Sequence, residues 1–254
     1  MKKNLYYRTV FKRSSMLQDG VLTLFLAFCS WPRLMIEVFT RKNLGERYFS
    51  FSTAMLIATV LALFPFVYFE ILSRFRGAAD FFLFATFFTT WYLYLAAFIY
   101  MCLQRRQEIK QLPSVYDLGR FSLSTGQIRP EIRNLSLSDT PVDLRTVETL
   151  VEPGVSAVIG LLLWAATQPI GLIILIASIF YALSYMAAYR QGDHFVMDKI
   201  DEMICNEELV NAFVEGRDSS ETRGVSFYGR RPADPDTRRK LVDTFIDDDT
   251  VEAL

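Results

Sequence analysis

FFLFATFFTTWYLYLAAFIYMCL, residues 81–103, runs 23 positions without a charge. About 20 apolar residues in a helix cover the roughly 30 Å hydrocarbon core of a bilayer, so this stretch reads as a transmembrane helix. Residues 51–72, FSTAMLIATVLALFPFVYFEIL, read the same way, free of charge until Glu70. Pro65 is expected to kink the second half of that helix. The loop between them, Ser73 to Asp80, carries Arg74 and Arg76, which makes the two helices an antiparallel pair. Aromatic side chains crowd the stretch from Phe81 to Trp91; lipid-facing bulk and interfacial anchoring account for them.

A third apolar block runs from Val155 to Ala188. As one helix it would be roughly 51 Å long at 1.5 Å per residue, too long for a single crossing. Thr167-Gln168-Pro169-Ile170-Gly171 interrupts it with a polar residue, a proline and a glycine, a combination that marks a turn. The expectation is a membrane hairpin turning at Gln168, Pro169 and Gly171, with arms 153–167 and 170–188. The first arm is short for a crossing, so it is expected to be re-entrant or to thin the bilayer locally. One kinked span is the alternative. Basic flanks favour the hairpin: Arg41, Lys42, Arg47, Arg105, Arg106 and Arg190 all fall inside only if the third block returns to its starting side.

Residues 1–50 hold nine Lys/Arg against three Asp/Glu, suited to an anionic membrane surface. Their apolar run from Val21 to Trp31 is short and is followed by Pro32, Arg33 and Glu37. An interfacial helix along the headgroups is expected there, with a fifth crossing over 17–40 as the alternative. Trp31-Pro32-Arg33 is not a small-residue cleavage site, so the start does not read as a cleavable signal peptide. The organisation is then a basic interfacial segment (1–50), a transmembrane pair (51–72 and 81–103), a cytoplasmic insert (104–152), the hairpin (153–189) and an acidic cytoplasmic region (190–254). The fold class is all-α integral membrane protein with three to four transmembrane helices.

The insert has a turn at Ser122 to Gly126 and a helix start at Asp139-Thr140-Pro141, capping a helix from Val142 to Leu150. Beyond the hairpin, Asp193 to Glu215 places Val196, Ile200, Met203, Val210 and Val214 at helical spacing against an acidic face. These five are the candidate interaction face. A polar loop, Gly216 to Pro232, leads to a last helix that starts at Asp234-Pro235 and carries Leu241, Val242, Phe245 and Ile246.

Motifs for chemistry are missing. Cys29, Cys102 and Cys205 have no metal or redox spacing and suit a reducing compartment. His194, the one histidine, has Asp198 a helical turn on, with Asp201 and Glu202 nearby. A metal site needs three or four well-placed ligands, and the group reads better as a solvated helix start. No GxSxG, HExxH, Walker A or GxGxxG pattern occurs. Arg230-Arg231 and Arg238-Arg239-Lys240 precede Asp247-Asp248-Asp249, whose charge would repel nucleic acid. Within the apolar blocks, Glu70 is the one carboxylate, near a helix end. The expectation is no enzyme, no cofactor or metal, and no nucleic acid. Instead the chain is read as a non-catalytic multi-pass subunit or scaffold of a membrane-embedded assembly in the inner (plasma) membrane, with both termini cytoplasmic. Secretion or conjugation apparatus is one setting. Its partners would be the lipid bilayer and either its own copies or other subunits. A small transporter or channel is the alternative, and a lipid-phase membrane enzyme ranks behind both.

Overall fold

The computed structural model describes residues 3–11, 16–76, 81–113, 115–133 and 143–247. The expected cap at Asp139-Thr140-Pro141 lies outside them. The chain divides into a central unit, Val21–Ala188, and a terminal unit, Met1–Gly20 with Tyr189–Leu254. Five helical stretches among the described residues are long and apolar enough to cross a membrane: Gly20–Thr40, Phe51–Ile71, Thr86–Asp117, Leu144–Ala165 and Pro169–Glu215. The strands among the described residues are four two-residue pieces. This is the make-up of an all-α membrane protein, with a larger number of eligible helices than the three to four expected.

Two differences account for the count. Helix α2 is continuous over Met16–Thr40, with Pro32 inside it. The charges that interrupt its apolar run are turned inward, where Arg33 and Glu37 approach each other one turn apart. The first hairpin arm is also longer than expected. It begins at Leu144 with α6 (Leu144–Thr146), continues through a π-turn at Val147–Val151, and becomes α7 (Glu152–Ala165). By length it therefore has no need to be re-entrant.

In the central unit, α3 (Phe51–Arg76) and α4 (Phe81–Gln111) pack antiparallel. Pro65 lies inside α3 and lacks an N–H, so the carbonyl four residues earlier, on Leu61, loses its helical partner. The buried indole of Trp91 supplies one: its Nε1–H donates to Leu61 O at 2.8 Å. Inside lipid an unpaired carbonyl is expensive, and this bond lets α3 stay unbroken. Phe64 stacks on the same indole at 5.3 Å, while Phe84 and Phe88 extend the aromatic contact. The crowd of aromatics is thus core as well as lipid-facing bulk. Outward, α3 and α7 present Leu56, Val60, Leu63, Val67, Leu161 and Leu162, all exposed, an exterior suited to lipid rather than water.

Beyond α4, the insert is pinned to the loop before α3. Strand β2 (Arg41–Lys42) pairs antiparallel with β3 (Gln127–Ile128). Gly45 N donates to Ser124 O at 2.8 Å and Arg47 N to Ser122 O at 3.0 Å. Short helix α5 (Pro130–Arg133) comes next. Helix α8 runs unbroken from Pro169 to Val210, through Gly192.

The terminal unit joins both ends of the chain. Strand β1 (Lys3–Asn4) pairs antiparallel with β4 (Ile246–Asp247). Buried Asn4 caps α1 (Leu5–Val10) by accepting from Tyr7 N at 2.9 Å. Its own amide donates to Asn206 Oδ1 at 2.7 Å, and its backbone N–H to Glu202 Oε1 at 3.2 Å. Leu209, Phe213 and Val214 form the small core with Val242, lined by Tyr6, Phe227, Leu241 and Phe245. Helix α9 (Pro235–Phe245) starts at Asp234, whose carboxylate accepts from the Thr237 hydroxyl and from the N–H groups of Thr237 and Asp236. Those bonds hold its carboxyl below the usual range, the Thr237 hydroxyl contributing most.

Candidate functional site

The helical hairpin turns where Gln168 and Pro169 stand. Helix α7 ends at Ala165, Thr167 adopts a left-handed φ of 60°, and Pro169 opens α8, its fixed φ and missing N–H suiting a first helical position. Gln168 Oε1 accepts from the Thr90 hydroxyl at 2.6 Å, tying the turn to α4. Gly171 is not in the turn itself but just beyond, and it faces Gly160 across the hairpin. A Cβ on Gly171 would lie 2.5 Å from Gly160 O and 2.4 Å from Trp164 N; one on Gly160 would lie 2.8 Å from Leu175 N. The two arms meet backbone to backbone, which only glycine permits.

At the other end of the hairpin is a cluster that the linear sequence does not announce. Arg41, at the end of α2, has no exposed surface, and neither has Glu152 at the head of α7. The guanidinium grips Glu152 with Nη2 at 2.6 Å and Nε at 3.0 Å, the bidentate geometry that Arg and carboxylate share. Nε also donates to Tyr181 Oη at 3.0 Å, and Nη1 lies 3.2 Å from Glu148 Oε1. The ring of Tyr185 covers the guanidinium at 4.6 Å. One turn back, Glu37 is 1% exposed and accepts from the hydroxyls of Tyr48 at 2.7 Å and Tyr185 at 2.8 Å. Arg33 Nε stands 3.4 Å from Glu37 Oε1, an ion-pair distance without hydrogen-bond geometry. Burial, reinforced by Glu37, holds the phenol of Tyr48 well above its ordinary value, so it remains a donor. Two arginines, three carboxylates and three tyrosines thus tie α2, α7 and α8 together.

No family model, no curated protein and no solved structure matches this chain. Geometry alone carries the functional reading.

The candidate interaction face divides. Val196, Ile200, Met203 and Val210 are 55%, 50%, 53% and 43% exposed, whereas Val214 is buried in the terminal core. Val214 departs because the helix loosens into a π-turn at Asn211–Glu215, which adds residues per turn and shifts the facing of the side chains within it. The C-terminal helix does not cover the stripe: Leu241 and Phe245 pack instead against Leu209, Phe213 and Val214, on another side of α8. Phe195 and Met197 beside the stripe are exposed as well. His194 accepts from Arg190 Nε at 3.4 Å. Asp198 and Asp201 line a hollow with Tyr7 and Arg223. Among the described residues, no three His, Cys, Asp or Glu side chains gather as a metal site would require. The burial of Tyr7, with Asp198 and Asp201 beside it, pushes that phenol up to about 12.

Proposed function

We propose that the protein is a non-catalytic subunit of a membrane-embedded assembly, joined to a helix of a second copy or of another subunit through the stretch of α8 beyond the membrane. The observation that carries this reading is the exposed stripe. Val196, Ile200, Met203 and Val210 follow spacings of four and three residues, with Glu207 at the intervening position, the pattern of a helix–helix seam. Burying each side chain is worth roughly 1.5–3 kcal/mol, and nothing among the described residues buries them. Ile200→Asp is expected to dissociate the complex and leave membrane insertion intact, read as a fall in mass of the detergent-solubilised protein. A wild-type chain that is strictly monomeric in mild detergent and in the membrane would overturn the reading.

The same reading places both chain ends in the cytoplasm and the central unit in the inner (plasma) membrane. Residues 3–10 and 198–247 belong to one compact body, so the chain between them crosses an even number of times. Helix α2 is then the one of the five that does not cross. Its contacts support this. Phe28 meets Phe180, Glu37 meets Tyr185, and Arg41 meets Tyr181. Over those residues a helix advances roughly 20 Å at 1.5 Å per residue, yet the partners on α8 stay within six positions. Helix α2 therefore lies across α8 rather than alongside it. Reporters active only outside the cytoplasm, fused at either end, are expected to stay silent. Activity at one end alone would restore an odd number of crossings.

A small transporter or channel is the second reading, favoured by the buried Glu37 and Glu152, since ionisable groups at membrane depth often mark a pathway. It is the weaker one, because these carboxylates are engaged by arginine and tyrosine.

A further inference from the structure

We infer that the central unit holds a specific site for an anionic phospholipid, in the groove of about 480 Å³ bounded by α2, α4, α7 and α8 and closed at one end by α5. This goes beyond the assembly reading and does not depend on it. Deep in the groove the walls are Met35, Phe39, Tyr94, Ile159, Leu163 and Ile174. The Tyr94 hydroxyl is spent on Met35 O at 2.9 Å, and the other polar groups, Thr40, Ser156, Arg129 and Glu131, gather at the end next to the β2–β3 pair. From Ser156 to Leu163 the α7 wall extends roughly 10 Å at 1.5 Å per residue, room for the upper part of an acyl chain.

The head of the site is Arg129. Its backbone N–H donates to Thr40 O at 3.1 Å, and its carbonyl accepts from Ile132 and Arg133, so its position is fixed by the main chain. Its side chain is not spent on that framework. Nε is buried without a hydrogen-bond partner, and the guanidinium forms no ion pair among the described residues, Glu131 included. A buried guanidinium donor without a partner is costly, and a phosphate matches its fork. Arg133 and Lys42 stand near this end on α5 and β2, both exposed, and outweigh Glu131 in charge. An apolar slot that ends in a cationic mouth fits a lipid with an anionic phosphate head. A free phosphate uses only the mouth, and a zwitterionic lipid brings its own cation against Arg129, Arg133 and Lys42.

The test takes the full chain purified in detergent and measures lipid retention by native mass spectrometry, together with thermal stability. Phosphatidylglycerol, phosphatidylcholine of matched chains and inorganic phosphate are the probes. Phosphatidylglycerol is expected to bind about tenfold more tightly than phosphatidylcholine, because both offer a phosphate but only the choline cation is repelled by the Arg129 guanidinium. Arg129→Gln should erase that preference while leaving the lipid-free melting temperature unchanged, since the side chain has no partner to lose. Ile159→Trp, which fills the slot, should weaken both lipids. Equal retention of the two lipids by the wild type would overturn the inference, as would a preference that survives Arg129→Gln. Stabilisation by inorganic phosphate equal to that by phosphatidylglycerol would also overturn it, by reassigning the mouth to free anions.

Discussion

Arg41→Met is expected to destabilise the protein by about 3–5 kcal/mol, the range for removing one partner of a buried ion pair. The loss comes less from the missing attraction than from the charge left behind. Glu152, with no exposed surface, would lose the two bonds at 2.6 and 3.0 Å that now satisfy it. Glu148 depends on Arg41 less, because its side chain is 12% exposed and can reach water. The double variant Arg41→Met with Glu152→Leu should recover most of the loss, since apolar groups of similar volume can replace a buried pair at little cost. Chemical unfolding of the detergent-solubilised protein, read by helix content, measures both. A double variant as unstable as the sum of the singles would show that the two side chains act separately, and the cluster would no longer be the tie between α2 and α7.

Gly171→Ala is expected to cost more than the roughly 1–3 kcal/mol of ordinary overpacking. The new carbon would meet backbone, Trp164 N at 2.4 Å and Gly160 O at 2.5 Å, rather than the tip of a flexible side chain. The hairpin arms must therefore part, and the contact of Gln168 with Thr90 would go with them. Gly192→Ala is the internal comparison. It also lies within α8, but nothing stands within 4 Å of its added carbon, so it should be neutral or stabilising by about 0.5–1 kcal/mol. Thermal unfolding of the two variants side by side decides the matter. If both behave alike, the close approach of α7 and α8 is not a constraint on the sequence.

The helices at 51–72 and 81–103 were legible because an uncharged run of that length has few other fates. The hairpin turn was legible for a different reason, the local chemistry of a proline and a glycine in one short stretch. The buried cluster was not. Arg41 and Glu152 are 111 positions apart, and Glu37 and Tyr185 are 148 apart, so no local pattern links them. Arg33 and Glu37 even pointed the wrong way, since a charge read alone asks for water and ends an apolar run. Paired within the fold, the same charges are compatible with a continuous α2. Pro65 shows the converse: the sequence suggests a kink, but only the structure brings the Trp91 indole to the carbonyl that the proline frees. The spacing of the α8 stripe could be read as far as Val210 and no further, because an ideal helical period does not foresee the π-turn that swings Val214 inward.

The pairing of Lys3 and Asn4 with Asp247 and Ile246 sets an order on biosynthesis. A ribosome adds about 5–20 residues per second, so strand β1 waits roughly 10–50 s for the strand that completes it. In that interval Tyr6 and Tyr7 still lack the side chains that later cover them. The terminal body can close only after the last of its segments has left the exit tunnel. A chain cut short anywhere before β4 would lack the strand that pairs with Lys3 and Asn4, and its first strand would stay unclaimed.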